Sequence, residues 1–176
     1  YVGPVGRTSP TNIGLALVST CMAYEMGYIT ATEMINRLDN SLSSMKQLER
    51  YRGHFYNWYS TKLGDILSPS YISTVDSGNL AGSLIVVQQA LEDIDERPWP
   101  NSSFWDGLND TLMVLEELLE ELESNKEHEH LAESLAVHFE DLKEVFPAKN
   151  PDDIEDWKAA LDQLSIIARQ LAEVNM

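Results

Sequence analysis

The chain has 176 residues and a mass of 19.9 kDa, the size of one domain or of a piece of a larger one. Twelve Lys and Arg face 29 Asp and Glu, a net charge of −17 that excludes nucleic acid and anionic membrane surfaces as partners, since both need positive surface. A hydrophobic fraction of 43% excludes compositional disorder, and the single Cys21 excludes an intrachain disulfide or a cysteine-based zinc cage.

No basic-then-apolar leader opens the chain, and it starts at Tyr1 rather than Met, so it reads as cut from something longer. Thr8-Ser9-Pro10-Thr11-Asn12 is a turn cluster with a capping residue. Ile13, Leu17, Cys21 and Tyr24 follow at helical spacing, and Gly27 ends that first helix. Gly14 inside its first turn is not explained by capping and marks close approach by another element or a ligand. Thr30-Ala31-Thr32-Glu33 is a capping box. Behind it Met34, Leu38, Leu42, Met45 and Leu48 form a stripe to about residue 50. These two helices form an antiparallel pair.

Residues 52–76 break the pattern, with Gly53, Gly64 and Pro69 among Phe55, Tyr56, Trp58, Tyr59 and Tyr71. This is a long aromatic-rich loop with room for a short hairpin, and such loops are usually functional or mobile. A third helix is expected from near Ser77 through Leu80, Leu84, Val87, Leu91 and Ile94 to a stop at Arg97-Pro98-Trp99-Pro100. Three more amphipathic helices follow, striped by Leu108, Leu112, Leu115, Leu119 and Leu122, then by Leu131, Leu135, Phe139 and Leu142. The last is capped by Asn150 with Pro151 at its first position and carries Trp157, Leu161, Leu164, Ala168 and Leu171. No segment alternates strictly, so the class is all-α, built from helix pairs, and the longest aliphatic run, Leu84–Val87, falls far short of the ~20 residues of a membrane span.

Charge divides the chain. Residues 1–91 are neutral, residues 92–144 carry −14 and residues 145–176 carry −3. The neutral part holds the aromatic and Gly/Asn chemistry, so function is sought there. Two domains are expected, 1–95 with the site motifs and 96–176 with acidic helices.

Gly53-His54-Phe55-Tyr56-Asn57-Trp58-Tyr59 places aromatic faces beside amide and imidazole groups, which suits a flat, hydroxyl-rich ligand such as carbohydrate. The alternative is a loop pinned to the domain by aromatic plugs. Tyr71–Asn79 leads into a helix, where Asp76 or Ser77 is an N-cap, part of a hydroxyl-binding corner, or, for Asp76, a general acid or base. One carboxylate without a placed partner carries little weight as a catalyst. Glu127 and His130 have the spacing of helical di-metal sites, but such sites need the motif twice, and no metal or other cofactor is expected. His138 is read as packed or half-buried. P-loop, Gly-x-Gly-x-x-Gly and Gly-x-Ser-x-Gly signatures are absent.

Three motifs in order, Thr8–Gly14, Arg52–Tyr59 and Ser73–Gly82, resemble the cyclic β-1,2-glucan synthetases, very large bacterial membrane enzymes, at the start of their glucoamylase-like module. The likeness covers residues 7–91. It implies part of an (α/α)-barrel whose loops line a sugar cleft, with His54, Tyr56, Asn57, Trp58, Asp76 and Asn79 facing that cleft. It implies β-1,2-glucan or another glucose oligosaccharide as partner, together with the rest of the parent polypeptide. Catalytic carboxylates are expected beyond Met176, so the fragment alone is expected to be inactive. The parent would be an inner-membrane protein with this module on its cytoplasmic side, the fragment itself soluble and not inserted in the bilayer. Two departures stand in one loop: Ser60-Thr61 replaces the family's Asp-Thr, and Pro69-Ser70-Tyr71 lacks the family's arginine. A truncated barrel would also expose apolar surface and self-associate. The rival reading is an acidic all-helical scaffold without catalytic activity, with residues 104–146 as its working face.

Overall fold

Ser9 opens the first helix, α1 (Pro10–Glu25), by accepting from the Asn12 N–H at 3.2 Å, with Pro10 at the first position where its missing N–H costs nothing. Gly27 closes it with φ +77°, its N–H donating to the Tyr24 carbonyl while the Tyr28 N–H donates to that of Ala23. That pair of bonds is a Schellman cap, and the left-handed φ is why glycine stands there. Thr30 accepts from the Glu33 N–H and starts α2 (Ala31–Gln47). The Glu33 carboxylate meets Arg37 Nε at 2.6 Å one turn on.

The computed structural model describes residues 6–96, 102–124, 129–146 and 153–173, which fall into two compact units, Tyr1–Pro98 and Trp99–Met176. The described residues form six helices and four two-residue strands, an all-α fold. No helix among them is long and apolar enough to cross a membrane, and no cluster of His, Cys, Asp or Glu could hold a metal ion.

In the first unit α1 packs on α2 and, more extensively, on α3 (Thr74–Glu96). α1 and α3 run in the same direction: Thr11 meets Asp76 and Asn79, and Gly14 meets Leu80 and Ser83. Leu17, Cys21, Met34, Leu38, Met45, Leu80 and Val87 form the buried core, with Ile13, Tyr24, Leu42, Leu84 and Ile94 packed against it. Burial of such side chains at the spacing read from the sequence is the main stabilising term. Leu91 leaves that face and is 38% exposed.

The third helix begins at Thr74, three residues before its expected start. Ser73 is the cap, accepting from the Asp76 N–H at 3.1 Å, which places Asp76 inside the first turn rather than at the cap.

The loop between α2 and α3 is knitted by short strands. β2 (Arg50–Tyr51) and β3 (His54–Phe55) make a hairpin whose two turn residues, Arg52 and Gly53, have φ +49° and +89°. Two positive φ values are the signature of a tight type I′ turn. β1 (Arg7–Thr8) pairs antiparallel with β4 (Tyr59–Ser60), and Tyr59 also bridges to Ile66. Tyr59 is fully buried; its hydroxyl donates to the Glu49 carbonyl and accepts from the Tyr56 N–H, both at 2.7 Å. Burial is the first cause of its raised phenol pKa. Tyr59→Phe is expected to cost about 1–2 kcal/mol in urea unfolding, because the part-buried Glu49 carbonyl and Tyr56 N–H lose their shared partner.

In the second unit α4 (Ser102–Glu123) packs on α5 (Glu129–Val145), and α5 on α6 (Ile154–Glu173). Trp105 stacks on Phe146 at 4.8 Å and meets Trp157 edge-on at 5.2 Å. α6 is capped by Asp153, which accepts from the Asp156 N–H at 2.9 Å. The expected cap at Asn150 and Pro151 lies outside the described residues. The buried face of α6 runs through Trp157 and Ile167, while Leu161 and Ala168 are exposed. On α4, Leu115 is likewise exposed.

Candidate functional site

Three segments converge on the carboxylate of Asp76: the first turn of α1, the loop at 57–73 and the first turn of α3. Thr11 Oγ1 donates to Asp76 Oδ1 at 2.6 Å and accepts from Asn79 Nδ2 at 3.1 Å. Asn57, 4% exposed, is oriented by its neighbours so that its amide nitrogen donates to Asp76 Oδ2 at 3.1 Å. Its oxygen then accepts from the Tyr71 hydroxyl at 2.8 Å and from the Trp58 indole N–H. The Asn57 N–H donates to the Tyr71 carbonyl at 2.9 Å, which fixes the backbone under the same cluster. The Arg7 guanidinium lies 4.4 Å from the centre of the Trp58 ring, a cation–π contact covering one indole face.

Hydrogen bonds from Ser73 first, and then from Thr11, hold the Asp76 carboxyl below its ordinary value of 3.8, outweighing the opposing effect of burial. Asp76 is therefore ionised at neutral pH, a poor general acid and a weak base. A depressed folded-state pKa contributes stability that is complete above the unfolded value and is lost as pH falls through the folded one. The stability of the first unit is thus expected to fall below about pH 4, and Asp76→Asn to flatten that part of a pH series of urea unfolding curves.

Of the six residues expected to share a cleft, Asn57, Trp58, Asp76 and Asn79 belong to this one network. Tyr56 and Trp58 are half-buried, and Asn79 is exposed. His54 is exposed on β3 of the hairpin, and no hydrogen bond among the described residues joins it to Asp76. The plug reading holds for Tyr59, and Phe55, packed against the core, meets its ring edge-on at 6.3 Å. Glu127 lies outside the described residues, and His138 is half-buried beside Asp141. Sequence reasoning held Thr11, Tyr71 and Ser73 within its motifs without singling them out as site residues, and it missed Arg7. Thr11 and Ser73 carried only a local signal, that of capping.

No family model matches the chain. Over 121 residues, 68% of its length, it is 40% identical to a curated protein described as cyclic beta-(1,2)-glucan synthase NdvB, from Rhizobium meliloti (strain 1021). The chain spans 4% of that protein's length.

Proposed function

From the relationship of this chain to the cyclic β-(1,2)-glucan synthases, we propose that it is a piece of such an enzyme and supplies binding groups for a glucose chain. The 40% identity carries this reading. In it, residues 1–95 open a glucoamylase-like module whose helix pairs are part of an (α/α)-barrel wall, and residues 96–176 continue that wall or form a helical insert.

Within the corner the roles divide by exposure. Asn57 and Asp76 have their polar atoms engaged with protein, so they hold the frame. Tyr56, Trp58 and Asn79 present what is left of their surface to a sugar, whose apolar ring face stacks on aromatic rings while its hydroxyls meet amides. His54 extends the same surface along the hairpin. Catalysis belongs to carboxylates elsewhere in the enzyme. Glycosidic bond chemistry needs two placed carboxyl groups, which this reading assigns to another part of the enzyme.

Titration of the chain with linear and cyclic β-1,2-glucan, followed by tryptophan fluorescence, tests the proposal. A saturable change selective against β-1,4 oligosaccharides and absent in Trp58→Ala is expected. No saturable change, or an equal response to the β-1,4 chain, would sink it.

A further inference from the structure

A groove of about 820 Å³ opens in the first unit between α1, α2 and the turn after β4, and shares no lining residue with the Asp76 network. Its volume is in the ordinary range for small-molecule sites. Consecutive residues of α1 divide between the two places: Thr11 bonds Asp76, whereas Asn12 lines the groove. The lining is rich in neutral groups that both donate and accept, Asn12, Asn40, Ser41, Gln47 and Thr61, above an apolar floor that includes Ile13 and Met45.

The wall formed by the turn is braced before any ligand arrives. The Ser60 N–H donates to the Asp65 carbonyl at 2.8 Å, and the Gly64 N–H donates to the Ser60 carbonyl at 2.9 Å. The Thr61 N–H reaches the Gly6 carbonyl at 3.1 Å. A preformed wall lowers the ordering cost of binding. Charge selects the ligand class. Lys62 is the one cation in the lining and is offset by Glu49 and Asp65, so phosphate or another anion finds no net attraction.

We infer that this groove is a second binding site, for a neutral oligosaccharide. Amide and hydroxyl pairs match vicinal sugar hydroxyls, which also donate and accept, and the apolar floor accepts a ring face. The choice of glucan as occupant rests on the function proposed above; the neutral, polyhydroxyl character of the ligand rests on the groove alone.

Amide NMR of the isotope-labelled chain, titrated with a linear β-1,2-glucan oligosaccharide, separates the two sites. Saturable shifts at Asn40, Ser44, Thr61 and Lys62 are expected. Ser44→Trp, at an exposed position on α2, fills the groove and should weaken the affinity read at the groove amides about tenfold or more, leaving shifts at Asn57 and Asp76 intact. Asn40→Ala gives a second variant that removes one amide without adding bulk. Trp58→Ala should leave the groove shifts in place. Shifts confined to Asn57, Trp58, Asp76 and Asn79, or groove shifts indifferent to both variants, overturn the groove. So does a response of the groove amides to inorganic phosphate. Groove shifts with none at Asn57, Trp58, Asp76 or Asn79 uphold the groove and remove the corner.

Discussion

Gly14→Ala is expected to destabilise the first unit by about 1–3 kcal/mol, the usual cost of forcing extra volume into a packed contact. The sign is informative, because alanine is the better helix former by about 1 kcal/mol and in an open position would stabilise α1. A Cβ at Gly14 would lie 2.6 Å from Ser83 Oγ, 2.9 Å from Ser83 Cβ and 3.3 Å from Leu80 Cα. The last of these is backbone, so rotating one side chain cannot relieve it. Close approach by another element is thus what this glycine permits, and that element is α3. Native-state amide exchange at Leu17 and Leu80, read with urea unfolding, locates the loss. Gly14→Ala combined with Ser83→Gly should recover part of it, since two of the three clashes vanish and the Leu80 one remains. A neutral or stabilising Gly14→Ala would mean that α1 and α3 do not approach this closely.

The helices were legible where local chemistry and periodicity agree. Ser9, Gly27 and Thr30 each act within four residues of their own position, and the stripes of α1 and α2 bury as spaced. The start of α3 was not legible, because Ser73, Asp76 and Gly78 belong to residue types that favour loops and turns until the helix is fixed by packing. On α6 the apolar residues Leu161, Ile166 and Ala168 flank the buried line of Trp157 and Ile167. Periodicity alone cannot say which of two adjacent faces turns inward. The corner was half legible. The motifs brought Asn57, Trp58, Asp76 and Asn79 forward, but Thr11 is 65 residues from the carboxylate it bonds. Arg7 over Trp58 and the Trp105, Phe146 and Trp157 cluster are products of topology, with no local pattern to announce them.

Asp76→Ala is expected to cost about 2–4 kcal/mol, since hydrogen bonds to a charged group contribute about 1.5–3 kcal/mol and their loss strands a buried amide. The stranded group is Asn57 Nδ2, whose oxygen stays bonded to Tyr71 and Trp58 while the nitrogen loses its acceptor. Helical content should stay nearly constant, because the α1–α3 seam is held by Leu17, Leu80 and Val87, and none of these depends on the carboxylate. Loop order should not survive. Asn57 ties the Trp58 indole to α3 through Asp76, so the Trp58 fluorescence and its response to β-1,2-glucan are expected to be lost together. A double-mutant cycle with Thr11→Val isolates the 2.6 Å bond from the rest. Unchanged stability in Asp76→Ala would show that the carboxylate is not the tie between loop and helices. Reduced stability with an unchanged glucan titration would make the cluster a structural clasp and move the sugar contacts elsewhere. Loss of both, with the Thr11 coupling a fraction of the whole, is the result that follows from a carboxylate whose task is to hold Asn57 and Trp58 where a sugar can reach the ring.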